Sequence, residues 1–277
     1  MNPSRAKALK KLLDQALSEF VESGEVLADA LEPALRYTDW HDKEFAAFVC
    51  AVLADGRVEH IKKSIHRVLD PMGESPHRWL LESSEADIRR LAKTWSHRFN
   101  TEADMILLLG VLKNIYGRHG SLEAFFGRKP AVTAFDLLEN FVAGVDELLK
   151  ADAGRYPRTG ASFWFFFPRP SGGSACKRLN LFLRWMIGRG PLDLGLWKLY
   201  QPSLLVIPLD VHVLRQARSL QLTRRKQADW IAAEEVTKAL RHLDADDPVQ
   251  FDFALCHLGM RGNILKLKSG AKSSRSK

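Results

Sequence analysis

Apolar residues recur at intervals of three and four along most of the chain, the spacing of one face of an α-helix. Leu9, Leu12, Leu13, Ala16, Leu17, Phe20 and Val21 follow this spacing and predict an amphipathic helix over residues 4–22. Pro33 marks the opening of a short second helix. The run 44–54 is almost continuously apolar and reads as a buried helix. Val58, Ile61, Ile65, Val68 and Leu69 set another, ended by Pro71 and Gly73. Ser84 before Asp87, and Thr101 before Asp104, have the spacing of a capping box. Met105, Leu108, Leu109, Leu112 and Ile115 then form one face, and Phe135, Leu138, Phe141, Val142, Val145 and Leu149 the next.

The periodicity breaks at 154–174, a stretch rich in Gly, Pro and aromatics that contains Phe163-Trp164-Phe165-Phe166-Phe167. Helices are predicted again over about 175–188, from near Asp210, over about 226–243, and from Pro248 through Cys256 to a stop at Gly259. Strand signals are few; 204–209 is short and ends near Pro208. About ten helices with short connections predict an all-α, two-lobed architecture. The expected division is a lobe over 35–188, a second lobe from 1–34 plus 189–265, and a disordered basic tail over 266–277. The cleft between lobes is the default place for a ligand.

Composition narrows this picture modestly. The hydrophobic fraction is 46%, ordinary for a folded protein. No stretch approaches the length of a membrane span, and the polar, basic N-terminus lacks the apolar core of a secretory signal. Cys50, Cys176 and Cys256 are far apart and odd in number, which points to buried free thiols in a reducing, cytoplasmic compartment. No Cys-x-x-Cys pair exists, and no metal or other cofactor is expected. Five of the charges in the net +8 lie in the tail, at Lys266, Lys268, Lys272, Arg275 and Lys277. Removing those five from the +8 leaves about +3 on the rest. Such a tail serves either solubility or a loose grip on phosphate.

Three segments carry candidate chemistry. Gly172, Gly173, Ser174 and Ala175 form a small-residue turn feeding a helix start, where exposed N–H groups favour an anion. In the helix that follows, Lys177, Asn180 and Arg184 share a narrow polar strip beside the apolar stripe of Leu179, Phe182, Leu183 and Met186. That strip is expected to face a cleft or solvent. In Pro208-Leu209-Asp210-Val211-His212, Asp210 closes an apolar run and opens a helix, the ordinary place of an N-cap. His212 is a poor metal signature and reads first as a hydrogen-bonded structural histidine. Taken singly, each segment has a plain structural explanation.

Together, the glycine turn, the lysine-bearing helix and Pro-x-Asp-x-His resemble the helix–hairpin–helix glycosylases of the HhH-GPD superfamily, the endonuclease III type. Lys177 falls at that family's catalytic lysine and Asp210 at its aspartate. Asn180 stands where the family often has Asn, and Asp252-Phe253-Ala254-Leu255-Cys256-His257-Leu258-Gly259 resembles the helix that follows. This resemblance covers mainly residues 165–260. A resemblance over nearly the whole chain is to a bacterial domain family of unknown function, through Gly173 to Asn180 and Arg98-Phe99-Asn100. The chain departs from the superfamily pattern at Ala175, where the hairpin has Gly. Lys177 and Asp210 are also 33 positions apart. The added length lies near 190–200 and reads as an inserted turn and short helix. An archaeal 8-oxoguanine glycosylase branch shows similar widening. The iron–sulfur cysteines of endonuclease III are absent.

The resemblance implies binding of double-stranded DNA carrying a damaged base, by a monomer and without a membrane partner. The turn 172–175, Arg178 and Arg184 would hold the DNA backbone. Asn180, His212, Trp164, Phe165, Arg98 and Asn100 would surround the pocket, with Trp164 and Phe165 stacking on a flipped base. Lys177 would attack the sugar C1′, expel the base and leave a Schiff base that permits strand cleavage. Asp210 would accept the amine proton and stabilise positive charge on the sugar. Partial burial, with Arg178 and Arg184 nearby, is expected to lower the lysine pKa. Two other readings are a nucleic-acid-binding protein that has kept the scaffold and lost the reaction, and a helical protein-interaction scaffold, which would show an apolar groove instead of a basic one.

Overall fold

The computed structural model describes residues 1–22, 30–152, 154, 156–191, 193–260 and 262. The basic tail lies outside the described residues. Thirteen α-helices make up the chain among the described residues, with no named strand. They are α1 Pro3–Glu22, α2 Glu32–Leu35, α3 Trp40–Val52, α4 Val58–Leu69, α5 Pro76–Glu82, α6 Glu85–Ala92, α7 Glu102–His119, α8 Leu122–Phe126, α9 Ala134–Ala151, α10 Lys177–Ile187, α11 Val211–Ser219, α12 Trp230–Leu240 and α13 Asp252–Met260. The all-helical class expected from the periodicity is the class observed.

Local chemistry sets many of the boundaries. Ser84 with Asp87 and Thr101 with Asp104 form the two capping boxes anticipated from sequence, and Thr133 with Asp136 forms a third. Asp39 starts α3 by accepting from the His41 and Asp42 N–H groups. The start of α12 is delayed to Trp230 because Asp229 is its cap, accepting from Ala232 N–H at 2.8 Å. Pro248 does not open the last helix; it lies in a turn, and α13 begins at Asp252.

One cluster of buried apolar side chains runs from Leu9 to Leu255, so the segments assigned to two lobes share a core. Within it α10 packs against α3. Every residue of α10 from Leu179 to Ile187 is buried, and only Lys177 and Arg178 at its start reach the surface. Elsewhere α11 packs on α13, and α13 on α1. Gly259 permits the close fit of α13 to α11. A Cβ there would lie 2.8 Å from the His212 carbonyl oxygen, a separation real Cβ atoms do not tolerate.

The inserted segment after α10 contains no short helix among its described residues. It turns back on α10 as irregular chain, with Gly195 left-handed at φ 58°. Leu194 and Gly195 N–H donate to the Trp185 carbonyl at 2.7 and 3.1 Å, and Trp197 N–H to that of Met186 at 2.9 Å. The insertion thus satisfies carbonyls that the end of a helix leaves open. Trp197 also donates its indole N–H to the buried Glu44 carboxylate at 2.6 Å, and Glu44 accepts from Leu122 N–H at 2.9 Å. Burial pushes the Glu44 carboxyl above its usual range, although these donors oppose the rise.

Candidate active site at the start of α10

The segment before α10 does not form the first helix of a helix–hairpin–helix pair. It consists of two 3-10 turns, Ala161–Phe165 and Pro170–Gly172. Pro157, Pro168 and Pro170 interrupt it, each lacking the N–H that a continuous helix needs. Gly173 then takes a left-handed conformation with φ 79°, and Cys176, the N-cap of α10, another with φ 49°. A non-glycine residue in that region stores strain. The Cys176 thiol offsets it by donating to the Pro168 carbonyl at 3.3 Å, and burial pushes the thiol pKa up to about 12.

The turn is less open to phosphate than the sequence suggested. Gly172 N–H donates to Arg169 O at 3.2 Å and Gly173 N–H to Pro170 O at 2.8 Å, so both amides are spent inside the turn. Gly173 O accepts from Trp230 N–H at 3.3 Å, and Ser174 bridges to Asp229, which fixes the turn against the start of α12. Ser171 N–H is held by Glu139 at 2.8 Å. The Ser174 amide remains as a candidate for an anion, since the bridge to Asp229 turns the Ala175 N–H toward the Ala228 carbonyl.

The kink at Cys176 sets Lys177 in the first turn of α10. Its Nζ lies 3.0 Å from Asp210 Oδ2. Asp210 divides its carboxylate: Oδ1 accepts from His212 and Val213 N–H, both at 2.9 Å, as the cap of α11, and Oδ2 meets the ammonium. Two residues remote in sequence therefore meet as an ion pair. The Lys177 side chain keeps 35% of its surface exposed and that of Asp210 17%. Lys177 lines a cavity of about 330 Å³ whose walls include Trp164, Phe165, Pro168, Leu209, Ala228 and Asp55.

The electrostatics correct the expected lowered lysine pKa. Burial alone would lower it, but the Asp210 charge, with Cys256 and Asp252 farther off, outweighs burial and holds the amine above its ordinary value. Asp210 moves the opposite way. Burial would raise it, but Lys177 and the Val213 N–H hold it below the usual carboxylate range. At rest the pair is an ammonium and a carboxylate.

Other candidates fall elsewhere. Arg184 is 3% exposed and cannot touch a DNA backbone. Its Nη1 lies 2.8 Å from Asp252 and its Nε 3.2 Å from Asp193. The polar strip of α10 therefore turns inward after Lys177, and Asn180, 1% exposed, donates to the Ala175 carbonyl at 3.0 Å inside the turn. Asn100 is buried and donates to Ser162 O at 2.7 Å, away from the pocket. Arg98 pairs with Asp55 at 3.1 Å and lines a neighbouring cavity. Arg178 donates to the Val52 and Phe165 carbonyls, which bind it to the frame of the pocket. His212 is half-buried, with Nδ1 enclosed. Trp164 and Phe165 do line the lysine cavity. Sequence reasoning missed Asp55, a carboxylate in the cavity wall, and the triad of Arg184, Asp193 and Asp252.

Residues 29–261 match the family described as "Protein of unknown function (DUF2400)". The chain belongs to the DUF2400 family. No curated protein and no solved structure matches it. This DUF2400 chain has no helix long and apolar enough to cross a membrane, and no cluster of three or more His, Cys, Asp or Glu side chains suited to a metal ion, among the described residues.

Proposed function

We propose that this chain binds DNA and removes a damaged base through Lys177, with strand cleavage by way of a lysine Schiff base. The observation that carries this reading is the meeting of Lys177 and Asp210 at 3.0 Å, beside a cavity of about 330 Å³ walled by Trp164 and Phe165. The pocket is of a size for one flipped nucleoside and offers aromatic faces for its base. Lys177 occupies the first helical turn, where the positive end of the α10 dipole disfavours an ammonium. Asp210 offsets that effect. Transfer of the Lys177 proton to Asp210 frees the amine lone pair for the sugar C1′, and the C1′–N bond breaks with its electron pair leaving on the base. The Asp210 oxygen bound by two backbone N–H groups stays fixed while the other changes partners.

The raised lysine pKa supports a second reading, in which the ammonium grips phosphate and no bond is broken. Borohydride trapping separates the two. Duplexes carrying oxidised, alkylated or abasic sites are incubated with the full chain and reduced. The enzyme reading expects a covalent adduct, lost in Lys177→Ala and retained in Lys238→Ala on the exposed face of α12. Salt-sensitive binding without an adduct on any duplex selects the second reading.

A further inference from the structure

Beside the lysine cavity lies a second one of about 500 Å³, and Asp55 stands in the wall of both. Arg57, His60, Lys63 and Arg67 line it, all exposed and all spaced by three or four, so they form one row along α4. At 1.5 Å per residue the row is about 15 Å long. The one acid among its lining residues, Asp55, is engaged by Arg98. The cavity is therefore a basic trough.

An aromatic step adjoins both cavities, through Arg98 in the wall of the trough and Phe165 in that of the lysine cavity. His97 and Asn100 exchange backbone hydrogen bonds at 3.0 and 2.9 Å, which leaves Arg98 and Phe99 at the tip of a tight turn. The turn is anchored below, by His97 Nδ1 with Ser64 Oγ at 2.9 Å and by Asn100 with Ser162 O. Arg98 is left-handed, with φ 55°. This rigid tip holds Phe99 in the open, 63% exposed, where its ring centre lies 5.4 Å from that of Phe165, itself 48% exposed. The Arg98 guanidinium lies 5.6 Å from the Phe99 ring centre. Two water-facing phenyl rings, Phe99 on this anchored turn and Phe165 at the end of the 3-10 turn Ala161–Phe165, have no role in the core.

We propose that the trough and the Phe99–Phe165 step bind a single unpaired strand of nucleic acid running on from the lysine cavity. A row of cations for the backbone with aromatic faces for the bases is how unpaired strands are held without sequence preference. A cavity of this size has room for one strand and not for a duplex. The inference rests on the nucleic-acid reading of the lysine site and assigns the substrate class as a junction of paired and unpaired DNA.

The test is fluorescence anisotropy of the full chain with a blunt DNA duplex, the same duplex with a single-stranded DNA overhang, and a matching RNA overhang. The DNA overhang is expected to bind roughly tenfold more tightly than the blunt duplex. Phe99→Ala should abolish that preference and leave blunt-duplex binding unchanged. Arg57→Gln with Lys63→Gln should reduce the salt dependence of overhang binding, by about 0.7 in log–log slope for each phosphate no longer neutralised. Lys238→Ala, on the exposed face of α12, should keep the preference. Equal affinity for blunt and overhang DNA, with trapping at Lys177 intact, overturns this inference alone. Tighter binding of the RNA overhang overturns the assignment to DNA. No binding of any nucleic acid overturns the lysine reading with it.

Discussion

Two ion-pair sites share helix α10, seven residues apart, and differ in nearly every physical respect. Lys177 with Asp210 is half open, balances one charge of each sign, and borders a cavity. Arg184 with Asp193 and Asp252 is sealed, its side chains 2–5% exposed, and sets two carboxylates against one cation. Burial raises both acids, Asp252 to about 6, although the guanidinium opposes the shift. Burial of charge is thus no sign of chemistry. The sealed triad joins the insertion and α13 to α10, while the pair with room beside it is the one a substrate can reach.

Breaking the sealed site should have the largest effect. Arg184→Met leaves two buried carboxylates without their cation, and a loss of about 3–5 kcal/mol is expected in urea unfolding. A loss below about 1 kcal/mol would mean the triad is not buried as described.

A pH series sharpens the contrast. The folded chain holds a proton on Asp252 up to about pH 6, whereas the unfolded carboxyl loses it near 3.8. The folded state therefore binds more protons in that window, and this group's contribution to stability falls as pH rises through it. Asp252→Asn keeps an acceptor for Arg184 and removes the excess charge. Its Tm should match the native chain near pH 4 and exceed it by a few degrees near pH 8, by calorimetry. Equal Tm differences at both pH values would refute the raised Asp252 pKa.

The smallest effect on stability belongs to the open site. Lys177→Ala should change the unfolding free energy by no more than about 1 kcal/mol, since a partly exposed pair contributes little. Denaturant titration checks this. A penalty of several kcal/mol would assign Lys177 to the frame and not to the pocket.

Most helices were legible because their faces run for three or more turns. Periodicity places α1, α3, α4, α7 and α9, and the Ser84 and Thr101 caps fix two starts. The five-residue α8 and seven-residue α5 are too short to display a period, although Pro76 and the Ser121 cap mark their beginnings. Lys177 and Asp210 could be chosen by resemblance, but their distance could not. Arg184 was misread because a helical wheel has only one inside and one outside, whereas α10 is surrounded. Its signal lay in its neighbours: an arginine between Leu183 and Trp185 needs buried acids, and those come from segments 9 and 68 positions away.

The missing side chain at Gly259 reaches farther than its own contact. Asp210 holds its position because α11 lies flush on α13, and α11 lies flush because nothing projects from Gly259 into the His212 carbonyl. The gap between ammonium and carboxylate is thus governed by an empty volume that neither residue touches. One methyl group added there would lift the cap of α11, and the strain would be felt as a lengthened reach for the proton.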